Sequence, residues 1–94
     1  MEFLVAIQAK LPESMPEEER ANLLARERLR AFELRKAGTV QRMWRIPGRF
    51  ANVGVWVAAD ATELHTQIAS LPLFRWLDVE VTALARHYVE TEEC

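Results

Sequence analysis

The sequence predicts an α+β domain of four strands and two helices in the order β-α-β-β-α-β. Three observations carry that expectation. Apolar residues alternate near both ends of the chain, two segments behind capping sequences repeat with helical spacing, and two β-prone runs flank Pro47-Gly48 in the middle. The 94 residues, half of them hydrophobic, fit a single domain spanning 1–94.

The elements follow in order. Phe3, Val5, Ile7 and Ala9 alternate with Leu4, Ala6, Gln8 and Lys10, the two-residue period of a strand, and Leu11-Pro12 ends it. Ser14 and Glu17 stand at capping-box spacing with Pro16 in the first turn, so a long helix is expected to about Ala37, stopped by Gly38. Residues 39–46 and 50–57 read as adjacent antiparallel strands joined at Pro47-Gly48. Asp60 and Glu63 form a second capping box, after which Ala61, Leu64, Ile68 and Leu71 keep helical spacing until Pro72. Residues 77–87, in which Val79, Val81 and Ala83 alternate, give the fourth strand, and residues from about 88 to 94 are expected as a frayed acidic tail. The economical packing is a four-stranded antiparallel sheet with both helices on one face, a ferredoxin-like arrangement.

That arrangement leaves one sheet face open. Along the third strand, the set Ala51, Val53, Val55 and Val57 is expected under the helices. Phe50, Asn52, Gly54 and Trp56 are expected on the open face, where so large an apolar patch calls for a partner subunit. The first helix carries two apolar stripes. Ala21, Ala25, Leu29 and Phe32 are expected to face the sheet, and Leu23, Leu24, Ala31 and Leu34 are left for an oligomer contact.

Glu27 falls within the second stripe, whereas Glu17, Glu18, Glu19 and Glu33 lie in the capping turn or on polar faces. Partial burial would raise its pKa toward a range useful for taking and returning a proton. The plainer alternative is an ion pair with Arg20, Arg30 or a basic residue of a neighbour.

Several classes of function are poorly supported. Twelve basic and 14 acidic residues, net charge -2, form no basic stripe for nucleic acid or an anionic membrane. Cys94 is the single cysteine, which excludes an intramolecular disulfide framework and a thiolate metal cage. The start lacks the marks of a secretory signal, and no apolar run approaches the roughly 20 residues that span a bilayer, so a cytoplasmic protein is expected. His65 and His87 lack metal-ligand spacing; a lone helical histidine such as His65 is more often a packing residue. With no Gly-rich phosphate loop and no Ser-His-Asp or Cys-His set, metal, nucleotide and covalent catalysis are poorly supported.

Lys10-Leu11-Pro12, Glu27, Gly38-Thr39, Trp44-Arg45-Ile46, Gly48, Ala51-Asn52, Leu64-His65, Leu71-Pro72-Leu73-Phe74 and Arg86-His87 together resemble the muconolactone isomerases over nearly the whole chain. The resemblance implies a cofactor-independent isomerase on a ferredoxin-like subunit of a homodecamer, with active sites near subunit boundaries. Its reaction would convert muconolactone to 3-oxoadipate enol-lactone in bacterial breakdown of catechol-type aromatics, the β-ketoadipate route. Carried onto this sequence, it makes Glu27 the acid-base group, with Asn52 and His65 hydrogen-bonding the lactone or its oxyanion. Substrate contacts are expected from Phe50, Arg42, Trp44, Arg45 and Trp76, and Arg42, Arg45, Arg49 and Arg75 are unranked candidates for the substrate carboxylate. The chain departs from the family pattern at Val40 (Trp), Phe50 (Tyr), Gly54 (Ser) and Arg75-Trp76 (Pro-Tyr). Those departures keep open a substituted-muconolactone isomerase, a chloromuconolactone dehalogenase and a noncatalytic oligomeric binding protein of the same fold. A cofactor-free ferredoxin-like monooxygenase is a more distant rival.

Overall fold

The computed structural model describes residues 1–91. Its elements are β1 (Glu2–Ala9), α1 (Glu17–Lys36), β2 (Val40–Arg45), β3 (Ala51–Val57), α2 (Ala61–Ala69), a 3-10 turn (Phe74–Trp76), β4 (Leu77–Leu84) and a one-turn helix α3 (Tyr88–Thr91). The expected order is present. One helical turn stands where part of a frayed tail was expected, and Cys94 lies outside the described residues. The strands lie in the order β2-β3-β1-β4 with every neighbouring pair antiparallel, the ferredoxin-like topology. No helix among the described residues is long and apolar enough to cross a membrane.

Local signals explain most boundaries. Gly38 ends α1 at φ +84° and Gly48 turns the β2-β3 hairpin at φ +80°, both left-handed positions that suit glycine. In the hairpin, Arg49 N–H donates to Ile46 O at 3.3 Å across Pro47-Gly48. Asp60 caps α2 by accepting from Glu63 N–H at 2.8 Å. The expected Ser14 cap is absent: α1 starts two residues later than that box requires, with Pro16 at the N-cap and no side-chain bond. Met15 precedes a proline, which disfavours the helical backbone it would need as the first residue. Glu17, Glu18 and Glu19 instead place negative charge at the positive helix end.

The structure reverses the expected assignment of faces on β3. Antiparallel register sets Phe3 opposite Trp56, Val5 opposite Gly54 and Ile7 opposite Asn52, so these six share a face. Phe3, Val5, Ile7 and Trp56 join Leu34 of α1, Leu64 and Ile68 of α2, Val40 and Leu71 in the core. Trp56 is 1% exposed, and Val53, Val55 and Val57 occupy the open face. The strongly apolar face of β1 settles the matter, because cross-strand partners must follow it, and an indole has more area to bury than a valine. A charge placed at position 56 would therefore disrupt the subunit core rather than part an interface.

The stripes of α1 are reversed as well. Leu23 and Leu34 are buried, whereas Leu29 and Phe32 are 66% and 65% exposed. Leu34 shares the core with Val40 and Trp56, which draws the Leu23 stripe, Glu27 included, onto the sheet.

One irregularity decides what β2 presents. Val40 pairs with Trp56 but Arg42 pairs with Val55, so Gln41 is an extra residue, a β-bulge. Beyond it Met43 and Arg45 pair with Gly54 and Asn52 on the helix-covered face, while Arg42 and Trp44 pair with Val55 and Val53 on the open one. A Cβ on Gly54 would stand 2.7 Å from Arg42 O, so this approach of strands excludes any side chain there.

Candidate active site

Between α1, the sheet and the segment after α2 lies a cavity of about 380 Å³. Its walls are largely apolar, including Ile7, Leu24, Ala31, Leu34, Leu71 and Leu73, with Glu27, Arg28, Arg45 and Asn52 among them. A volume of this size with few polar groups suits a small organic ligand.

Helical geometry places Glu27 in the stripe of Leu23 and Leu34, and the chain after Pro72 meets it there, Leu73 N–H donating to Glu27 Oε1 at 3.0 Å. Burial of the carboxylate raises its pKa above the ordinary 4.5, and the bond from Leu73, which stabilises the charged form, partly opposes this. Glu27 forms no ion pair among the described residues. The basic groups suggested as partners are engaged elsewhere: Arg20 donates to Pro12 O at 3.3 Å, and Arg30 to Ser70 Oγ at 3.0 Å and Gln67 Oε1 at 3.3 Å. The carboxylate is thus partly desolvated, anchored by one backbone donor and without an ion pair among the described residues, and its raised proton affinity suits a group that takes and returns a proton.

Asn52 adds a second polar group to the wall. Its Oδ1 is buried without a partner among the described residues, a costly state, and a half-turn of the amide would bring its NH₂ to that place. Arg28 and Arg45 are exposed at the rim and form no ion pair among the described residues, leaving their guanidinium groups available to a carboxylate.

Of the residues singled out from sequence, the cavity gathers Glu27, Asn52, Phe50 and Arg45. It does not gather the others. His65 is exposed on α2, its ring nearly perpendicular to that of Phe74 at a centroid distance of 5.9 Å. Arg42 and Trp44, stacked at 5.1 Å, belong to the open face because of the bulge, and Trp76 stacks with Arg75 at 5.1 Å outside the lining. Arg49 borders a separate cavity of about 210 Å³ beside Asp78 and Glu80. Sequence reading missed Arg28, Met43 and Trp56 as lining residues. Arg28 was detectable, since Leu24, Arg28 and Ala31 keep i, i+4, i+7 spacing. Met43 was not, because it depends on the bulge. No group of three or more His, Cys, Asp or Glu residues able to hold a metal occurs among the described residues.

The family model for muconolactone delta-isomerase matches residues 1–90. The chain belongs to the muconolactone delta-isomerase family. It is 39% identical to muconolactone delta-isomerase 2 of Acinetobacter lwoffii over 93% of this chain and 91% of that one. To muconolactone delta-isomerase of Cupriavidus pinatubonensis it is 36% identical, over 93% and 95%. The crystal structure of a muconolactone isomerase superposes with a TM-score of 0.87 at 38% identity, covering 93% of this chain and 91% of that one. Against this muconolactone isomerase frame the departures separate by position. Val40 and Phe50 line the cavity; Gly54 lies outside its lining where no side chain fits, and Arg75-Trp76 lie outside it too.

Proposed function

We propose that this chain is a cofactor-independent isomerase that moves the ring double bond of muconolactone, with Glu27 carrying the proton. The ring hydrogen beside the acetate arm is acidic because the resulting charge spreads through the double bond to the lactone carbonyl. Glu27 takes that proton as a carboxylate, leaving a dienolate, and returns it as a carboxylic acid to the carbon next to the carbonyl. The double bond then lies one position further round the ring, and no atom has been gained or lost. Asn52 holds the lactone, and Arg28 and Arg45 at the rim receive the acetate arm. His65 lies apart from this cavity, so its contact with a lactone requires a neighbouring copy.

The observation that carries this reading is the half-buried carboxylate of Glu27 on the cavity wall, held by Leu73 N–H and in no ion pair among the described residues. A paired carboxylate would be a weaker base. The same reading includes a cytoplasmic homo-oligomer. Trp44 and Leu4 on the open sheet face are 46% and 38% exposed, and with Leu29 and Phe32 of α1 they give apolar surface for subunit contacts.

The decisive experiment measures muconolactone turnover by the wild-type protein and by Glu27→Gln, which keeps an oxygen for Leu73. The expected loss is roughly 100- to 10,000-fold with assembly intact. Near-normal turnover would reject Glu27 as the proton carrier. Val40 and Phe50 on the wall favour a second reading, a chloro- or methyl-substituted lactone as the better substrate, and a higher kcat/KM on those analogues would select it.

A further inference from the structure

The cavity wall holds one polar group to which the proposed reaction gives no task. Trp56 is 1% exposed and shares the wall with Glu27 and Asn52, and its Nε1–H is buried with no acceptor among the described residues. An indole nitrogen can only donate, and a donor left unmatched costs about 1–3 kcal/mol. Phenylalanine would fill much of the same space without that cost, so packing alone does not account for the nitrogen. Val40, opposite Trp56 across the β2-β3 pair, is small enough to leave the indole room.

Resting on the reading of this cavity as a lactone site, we propose that Trp56 is a specificity-determining residue whose Nε1–H donates to the ring carbonyl oxygen of the substrate. The choice of acceptor follows from depth. Arg28 and Arg45 are exposed, so the charged carboxylate stays with them, whereas Trp56, 1% exposed, suits the uncharged ring. When the ring proton leaves, negative charge collects on the carbonyl oxygen and a hydrogen bond to it strengthens. The ligand class selected is a five-membered ring with an inward carbonyl and an outward carboxylate. A cyclic ether lacking the carbonyl leaves the indole unmatched and is rejected.

The test uses the whole protein labelled with 15N-tryptophan, whose three indole signals come from Trp44, Trp56 and Trp76. The probe is the saturated lactone bearing the same acetate arm, which cannot isomerise. Binding should move the Trp56 indole proton downfield while Trp44 and Trp76 serve as controls. In parallel, Trp56→Phe should lower kcat/KM on muconolactone by roughly 100-fold, while the melting temperature does not fall. An unmoved Trp56 signal at saturating probe overturns the proposal, even where turnover falls, because that combination assigns the indole to packing. Turnover of Trp56→Phe within about twofold of wild type overturns it as well. Wild-type protein that binds the probe but leaves muconolactone unchanged defeats the proposed reaction instead, and the indole signal still decides the hydrogen bond.

Discussion

Helix α1 carries two apolar stripes of similar strength, and the fold covers one of them. Leu23 and Leu34 lie against the sheet, while Leu29 and Phe32 are about two-thirds exposed. Composition does not separate the stripes, since each offers large side chains at helical spacing. What separates them is the partner surface: Leu34 joins Val40 and Trp56 in the core, and Glu27 is carried inward by the same rotation. A carboxylate that would be an ordinary surface charge on the outer stripe becomes, on the inner one, a base with raised proton affinity. The two faces of β3 repeat the contrast, Trp56 buried and Val55 on the open side.

The sharpest break of this contrast compares two tryptophans. Trp56→Ala should cost about 3–5 kcal/mol in urea unfolding, and Trp44→Ala, on the open face, about 1 kcal/mol or less. Equal losses would mean that the open face is as firmly covered as the core. Next in size is the helix itself. Leu34→Ala should destabilise the subunit by about 2–5 kcal/mol and Leu29→Ala by under about 1 kcal/mol. A reversed order would restore the outer stripe as the sheet-facing one.

The smallest effect is a pH dependence at Glu27. Its folded-state pKa is raised, so the native protein binds this proton more tightly than the unfolded chain does. The associated stability is fully present below the ordinary value of 4.5 and is lost as pH rises through the folded value. Glu27→Gln cannot ionise and keeps an acceptor for Leu73 N–H, so its melting temperature should exceed that of wild type increasingly as pH climbs above 4.5. A difference that is flat with pH would place this carboxylate in water.

Element order, the hairpin at Pro47-Gly48, the Asp60 cap and the Gly38 stop were legible because each depends on a few adjacent residues. Glu27 was legible as an acid among leucines, although the sequence set its stripe against a neighbouring subunit and not against the sheet. The faces of β3 and α1 were not, because each depends on which distant strand supplies the cross-strand neighbour. Arg42 and Trp44 read as equivalent to Arg45 for the same reason, since one extra residue at Gln41 re-phases everything after it. Leu73 as the anchor of Glu27 was invisible, for a backbone N–H leaves no mark in a sequence.

That extra residue has an evolutionary reach beyond its local geometry. A lineage can exchange the inner and outer halves of a strand by gaining or losing one codon, with no substitution among the side chains concerned. At Gln41 the present phasing gives the cavity Met43 and Arg45; regular pairing of the same residues would offer Arg42 and Trp44 instead, a bulkier and more aromatic rim. The lining of this cavity can therefore shift by indel, in a single step, and residue-by-residue comparison of aligned columns would overlook it.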